Sequence, residues 1–213
     1  MRQSAKRRIT QEIKFLTPEE THRLYRVISC DCSNHAIRNR AAFFIAKYCA
    51  LRASEVGLIR MSDYNIVSHT IYCRRVKGSK SNTIKIVDPE VIDFLDAHYS
   101  QRIQIDPQNP YLFPSQKGSP LNRRSLDNLI KGYGAQINLD VTKRHFHVLK
   151  HTRAMELINY SGIHLRDVQW WLGHKSINNT MIYLEYTSKA QEEMFARIAE
   201  VEGMRRIYAD KTP

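Results

Sequence analysis

The helical spacing of apolar residues that runs through most of this chain breaks once, between Asn65 and Asp88, and the break sets the fold class. There Tyr72-Cys73-Arg74-Arg75-Val76 and Thr83-Ile84-Lys85-Ile86-Val87 read as strands, separated by Lys77-Gly78-Ser79-Lys80-Ser81-Asn82. The pattern predicts a β-hairpin with a basic tip. Elsewhere helices are expected. Leu16-Thr17-Pro18-Glu19-Glu20 reads as a helix start: Thr17 suits the N-cap, Pro18 the first helical position, and Glu20 completes a capping box. Apolar residues at helical spacing predict further helices from about Ile37 to Leu51 and from near Ala53-Ser54-Glu55. Others are expected over Pro89–Tyr99, Arg123–Gln136, Val148–Tyr160, Leu165–Leu172 and about Lys189 to Arg205, with a Pro-rich loop from Asp106 to Pro120. The expected fold is mainly α with a small β-sheet (α+β) of three strands or fewer.

Charge sorts the partners. Lys and Arg number 33 against 21 Asp and Glu, giving a net +12 and a pI near 9.7 in 213 residues. Such a surplus favours a polyanion, because each neutralised phosphate releases condensed counterions. Nucleic acid is the first candidate. An anionic membrane surface is second, and no clear basic amphipathic helix with Trp or Phe opposite supports it. No run approaches the roughly 18 apolar residues that span a bilayer. No apolar stretch follows the basic start MRQSAKRRITQ, so a secretory signal is not expected, and the cytosol is the default compartment. Residues 1–14 are expected to form a basic arm, with Arg2, Lys6, Arg7, Arg8 and Lys14 against Glu12. The arm would contact DNA through Arg7 and Arg8 or serve only as a solubilising tail. Cys30, Cys32, Cys49 and Cys73 lack the paired spacing of zinc ligands and are expected to be reduced thiols.

Cutting a phosphodiester and rejoining it asks for particular side chains. A nucleophile must attack phosphorus in line, while cations neutralise charge growing on the phosphoryl oxygens. A general acid must protonate the leaving oxygen. A tyrosine that holds the phosphate as an ester conserves the bond energy, so rejoining needs no cofactor. The matching constellation is one Tyr surrounded by Arg, Lys and His.

Leu51-Arg52-Ala53-Ser54-Glu55-Val56-Gly57-Leu58 resembles the first arginine box of the tyrosine recombinase (phage integrase) family. Val76-Lys77-Gly78-Ser79-Lys80 resembles the family's β-hairpin lysine motif, and His147-Val148-Leu149-Lys150-His151 its His-x-x-Arg-His box. Leu172-Gly173-His174-Lys175-Ser176 with Thr180-Met181-Ile182-Tyr183 resembles the closing box that ends on the nucleophile. The boxes stand in family order, and the resemblance covers about residues 15 to 190.

The resemblance implies the tyrosine recombinase catalytic-domain fold over 15–187, acting on double-stranded DNA with no metal, cofactor or small-molecule substrate. Tyr183 would form a 3′-phosphotyrosine and release a 5′-hydroxyl. Arg52 would hold the scissile phosphate through its planar fork. Lys77 would be the general acid, His147 would assist proton movement at the Tyr hydroxyl or donate to the phosphate, and His174 would bond a non-bridging oxygen. Glu55 would support the site indirectly. Lys80, Lys143 and Arg144 join Arg7 and Arg8 as candidate DNA contacts. The family works as a tetramer on paired sites, so residues 188–213 would dock on a neighbouring protomer through Met194, Phe195, Ile198 and Val201. Integration, excision, inversion and resolution stay open, as does a nucleoid-associated place in the cytoplasm.

The departure is Lys150, which stands where the family places its second arginine. It keeps the charge without the fork. Arg153, three residues on, is the candidate to lean toward the same face. A catalytically silent DNA-binding relative and a type IB topoisomerase-like activity are the alternative readings, and a metal-dependent nuclease is disfavoured because no carboxylate cluster is visible. Tyr186 is the rival nucleophile, while His151 reads as structural, and Trp170 and Trp171 as core or interface anchors. In length the chain is similar to the short fimbrial phase-variation invertases, and a fragment of a longer integrase fits equally.

Overall fold

The computed structural model describes residues 13–76, 78–160, 162–186 and 198–199. Among them are eight α-helices: α1 (Pro18–Ser29), α2 (Ala36–Tyr48), α3 (Ala53–Val56), α4 (Pro89–Ile105), α5 (Arg123–Gln136), α6 (His147–Asn159), α7 (Leu165–Leu172) and α8 (Asn178–Met181). A three-stranded antiparallel sheet runs β1 (Tyr64–Asn65), β2 (Thr70–Cys73), β3 (Asn82–Lys85) in spatial order. The expected basic arm, with Arg7 and Arg8, lies outside the described residues except for Ile13 and Lys14; Lys77 does too, as does the expected last helix apart from Ile198 and Ala199.

Local chemistry explains the elements. Thr17 caps α1 as expected: its side chain accepts from Glu20 N at 3.2 Å, and Glu20 accepts from Thr17 N at 2.8 Å. Residues Ala41 to Ala46 of α2 are all buried, and a helix apolar on every side belongs at the centre of a domain. It packs on α4 and α6, and Phe43 meets Phe146 and Tyr133 edge-on with centroids 5.1 and 5.4 Å apart. α4 continues past the expected Tyr99 to Ile105 because polar Arg102 is itself buried on the packed side.

Two departures bear on function. α2 stops at Tyr48, short of Leu51, because Ala50 turns into the left-handed region at φ 52°. That reversal aims Arg52 out of the core. The ladder also closes at Cys73 and Asn82, three residues before the expected strand end at Val76. Arg75 turns inward there, and the Val76 N–H goes to Glu55 at 3.2 Å instead of to a strand.

The main core gathers α1, α2, α4, α5 and the sheet. A smaller cluster of Ala50, Ala154, Met155, Leu157, Val168, Leu172 and Tyr183 takes in Ile13 and Phe15 from the start of the described chain. No described helix is long and apolar enough to cross a membrane. Where α3 meets the segment leading into α5, a Cβ on Gly57 would stand 2.3 Å from the Leu121 carbonyl oxygen. Gly57→Ala is therefore expected to lower unfolding free energy by about 1–3 kcal/mol in urea denaturation. A variant as stable as its parent would show that the segments do not approach this closely.

Candidate active site

The site is built where two helix ends meet. The last carbonyls of α2 and α7 point toward each other, carrying the partial negative charge of helix C-termini and lacking intrahelical donors. Two buried cations answer them. Lys150 Nζ donates to Ala50 O at 2.9 Å and Leu172 O at 3.0 Å. Arg75 donates to Ala50 O at 3.1 Å, Cys49 O at 2.9 Å and Trp171 O at 2.8 Å. Asn82 adds a bond to Trp170 O at 2.7 Å.

Glu55 balances these charges without any exposure to solvent. Its carboxylate accepts from Arg52 Nη1 at 2.7 Å, Arg52 N at 2.8 Å, Val76 N at 3.2 Å and Arg75 Nη1 at 3.4 Å. Burial alone would raise the Glu55 pKa. The Arg52 backbone N–H and the cations Lys150 and Arg75 outweigh it, and the carboxyl sits below its usual range. Held in this way, Arg52 keeps a part-exposed guanidinium, and its Nη1 also reaches Ser79 Oγ at 3.1 Å.

The hairpin is docked against the same point. Lys80 N donates to Gly173 O at 2.8 Å. Gly173 closes α7 at φ 67°, and a Cβ there would meet the Lys80 carbonyl oxygen at 2.6 Å. Only glycine fits that turn and that contact together. Val76 and Ser79, both within the lysine motif, are tied to Glu55 and Arg52.

A cleft of about 880 Å³ opens beside Arg52, lined also by Lys14, Arg123, His145, His147 and His151, with Asp127 its one acidic residue. His147 presents an exposed edge to it. Desolvation by the cleft walls, then the charges of Lys150 and Arg52, lowers its pKa to about 4. His174 is buried, its Nδ1 2.9 Å from Thr180 Oγ1, and the same causes bring it to about 3. Both rings are neutral at physiological pH. The Tyr183 ring lies in the smaller hydrophobic cluster with 2% exposure, and its hydroxyl is 2.8 Å from His151 Nδ1. Burial raises the Tyr183 pKa well above that of a free phenol, although Arg52 pulls the other way.

Several expected residues take other positions. Lys150, 1% exposed, has its ammonium on the two helix-end carbonyls. Arg153 does not lean toward it: its guanidinium lies over the Tyr48 and Trp171 rings at 4.9 and 5.2 Å and bonds Glu156. Lys143 is paired with Glu20 at 2.7 Å, and Arg144 Nε donates to Leu139 O at 2.6 Å. Lys80 is exposed. Tyr186 accepts from Ile13 N at 3.0 Å and packs edge-on against Phe15, so it anchors the entering chain. Trp171 packs on the core with Nε1 on Tyr48 O at 2.8 Å, while Trp170 is 54% exposed. Arg75, Ser79 and Arg123 were not foreseen at the site. Alternation along a strand gave Arg75 no reason to turn inward, but the conjunction of Arg74-Arg75 with the next glycine turn was a readable signal. All four cysteines are free thiols, Cys49 and Cys73 buried.

Lys150 makes the electrostatic argument testable. Burial, then the charges of Arg75 and Arg52, depresses its pKa to about 7. In the unfolded chain the value returns to about 10.4. Between these two values the unfolded state binds more protons, so stability rises with pH; the full cost of the buried charge is felt below the folded value. Urea denaturation from about pH 6.5 to about 9.5 should show the parent gaining on a Lys150→Met variant. A constant difference between the two would contradict the buried, depressed ammonium.

Comparison with known proteins agrees with the geometry. The family model described as the phage integrase family matches residues 14–190. Tyrosine recombinase XerA of Pyrococcus furiosus is 30% identical over 194 residues, 90% of this chain and 64% of that protein. Type 1 fimbriae regulatory protein FimB of Escherichia coli K12 is 30% identical over 169 residues, 79% of this chain and 82% of that protein. The fold matches XerH site-specific recombinase bound to difH substrate in a pre-cleavage complex, with TM-score 0.73 and 24% identity over 86% of this chain and 54% of that one. The chain therefore spans less than two thirds of XerA and XerH and most of FimB. It belongs to the phage integrase family, the tyrosine recombinases.

Proposed function

We propose that this chain cuts and rejoins double-stranded DNA at specific sites, through a 3′-phosphotyrosine bond formed at Tyr183. The observation that carries the reading is a cationic cleft lined by Arg52, His147 and His151, with the buried Tyr183 hydroxyl on His151 and both Tyr183 and His174 within the electrostatic reach of Arg52, from segments far apart in sequence. XerH, of the same fold, is bound to its difH substrate, and the Tn1549 transposon integrase is in complex with circular intermediate DNA, which supports DNA as the ligand here.

Each residue then has a task. Arg52, pre-oriented by Glu55 and Ser79, grips the scissile phosphate and stabilises charge developing on its oxygens. Tyr183 attacks phosphorus; the bond to the 5′-oxygen breaks, and Lys77 protonates the leaving oxygen. His147 and His174, both neutral, donate hydrogen bonds to the phosphoryl oxygens. Lys14 and Arg123 hold the flanking backbone, with Lys80, Arg7 and Arg8 as further contacts. Lys143 and Arg144 contribute less, since each already has a protein partner. No step asks for a metal, nucleotide or organic cofactor. Four copies on two paired sites, with residues 188–213 of each docked on a neighbour, and a place on the nucleoid are readings that rest on the family alone.

A slower enzyme is the second reading, favoured by Lys150. Its ammonium is bound to two carbonyls, so the phosphate lacks the second forked donor. Lys150→Arg should speed covalent capture by about tenfold, equivalent to about 1.4 kcal/mol in the barrier; a slower variant would count against that account. The function itself is tested by incubating the protein with a library of nicked DNA half-sites in excess EDTA, then separating denatured protein-linked strands and sequencing them. Protein joined to the 3′ ends of a defined sequence is expected. No linked strand from any site, or linkage that EDTA abolishes, would overturn the reading.

A further inference from the structure

The phenol of Tyr183 is a poor nucleophile as it stands, because burial opposes its ionisation. Something must take its proton. By resemblance that task would fall to His147, yet the hydroxyl meets a different ring: Nδ1 of His151 lies 2.8 Å from Tyr183 Oη. The two rings are 5.8 Å apart at a tilt of 53°, and His147 packs edge-on against His151 at a centroid distance of 4.5 Å. His151 also lines the cleft beside Arg52, so it touches both the Tyr183 hydroxyl and the cleft in which a phosphate would bind.

We propose that His151 is the general base of strand cleavage, accepting the Tyr183 proton on Nδ1 as the phenolic oxygen bonds to phosphorus. The inference rests on Tyr183 being the nucleophile. The balance is complete within the site: the O–H bond of Tyr183 breaks and its proton forms an N–H bond on His151. The new O–P bond forms while the bond from phosphorus to the 5′-oxygen breaks, and that oxygen leaves with its electron pair and takes a proton from the Lys77 ammonium. In rejoining, the 5′-hydroxyl returns its proton to the Lys77 amine as its oxygen bonds to phosphorus, the O–P bond to Tyr183 breaks, and the departing phenolate recovers its proton from His151.

The surroundings explain why the base would act only on DNA. Charged and titratable neighbours face it from every side: His147 and Lys150 on α6, His145 before it, Arg52 after α2, Lys14 across the cleft and Tyr183 itself. Burial, then the neighbouring His147, His145, Lys150 and Arg52, lowers the His151 pKa to about 3, so the ring is neutral in the free chain. A phosphodiester placed on Arg52 brings a negative charge into the same cleft and raises the proton affinity of the ring. The substrate therefore switches on the base that serves its own attack by Tyr183.

Two measurements test the assignment. Nitrogen-15 spectra of the free protein should place the His151 proton on Nε2, leaving Nδ1 as acceptor; a proton on Nδ1 at neutral pH overturns the proposal. Single-turnover capture is then compared on the half-site DNA recovered above, with oxygen or sulfur bridging the scissile 5′ position. His151→Asn keeps a hydrogen-bonding group near the phenol but has no useful basicity. It should slow capture by about a hundredfold or more, and its rate should keep climbing with pH where the parent levels off. Sulfur leaves without protonation, so it should rescue Lys77→Ala and fail to rescue His151→Asn. Near-parent rates in His151→Asn, or its rescue by sulfur, would show that the ring only positions the hydroxyl. Sound capture by the parent with either result would overturn this inference and leave the proposed function standing, whereas a parent that captures no DNA overturns both.

Discussion

Two helix ends that would repel each other are held together by buried charge, and the site hangs on that contact. The carbonyls that finish α2 and α7 converge on Lys150 and Arg75, with Glu55 supplying the balancing negative charge. Buried ions are costly unless paired and fully hydrogen-bonded, and here each cation satisfies several carbonyls that no intrahelical donor reaches. Loss of either cation would leave orphaned carbonyls as well as an unbalanced carboxylate. The contact also fixes directions. Ala50, at one end of it, turns the chain so that Arg52 emerges two residues later; Leu172, at the other, precedes the glycine turn and His174; Arg75 carries the base of the hairpin. Three of the four family boxes are set relative to one another by this knot, and the fourth contributes Lys150.

Much of the architecture was legible because it is local. The capping box at Thr17 and Glu20, the spans of α5 and α7, and the existence of the hairpin follow from patterns of nearby side chains. Arg52 and Glu55 were also readable as one unit, since they face each other across a single helical turn. What could not be read depends on distant partners. Lys150 bonds a carbonyl 100 residues earlier in the chain, so motif position gave its charge but not its direction. Arg153 shares its helix, yet three aromatic rings attract it to another face. The inward turn of Arg75 ended β2 early for the same reason. His151 looked structural because a motif reports which residues occur, while the choice between two histidines one helical turn apart depends on where α8 delivers the tyrosine.

The position of Tyr183 gives the site its character. Its ring is core, packed with Ala154, Met155, Val168 and Leu172, and the segment from Ile13 to Leu16 closes over the same cluster. Leu16 N donates to Thr152 Oγ1 at 3.0 Å, and Ile13 N donates to the Tyr186 hydroxyl. The Tyr183 phenol is thus kept from water, while Tyr186, with a similar phenol nearby, is occupied as a structural acceptor. Burial that shields Tyr183 also disfavours its phenolate, and the cation at Arg52 opposes that effect.

The most direct test of this account is to digest the covalent protein–DNA complex and identify by mass spectrometry the peptide that carries the nucleotide. The phosphate should be found on Tyr183 alone, and Tyr183→Phe should yield no adduct while still binding the same DNA. A nucleotide on Tyr186 or on any other residue, or strand cleavage persisting in Tyr183→Phe, would contradict it.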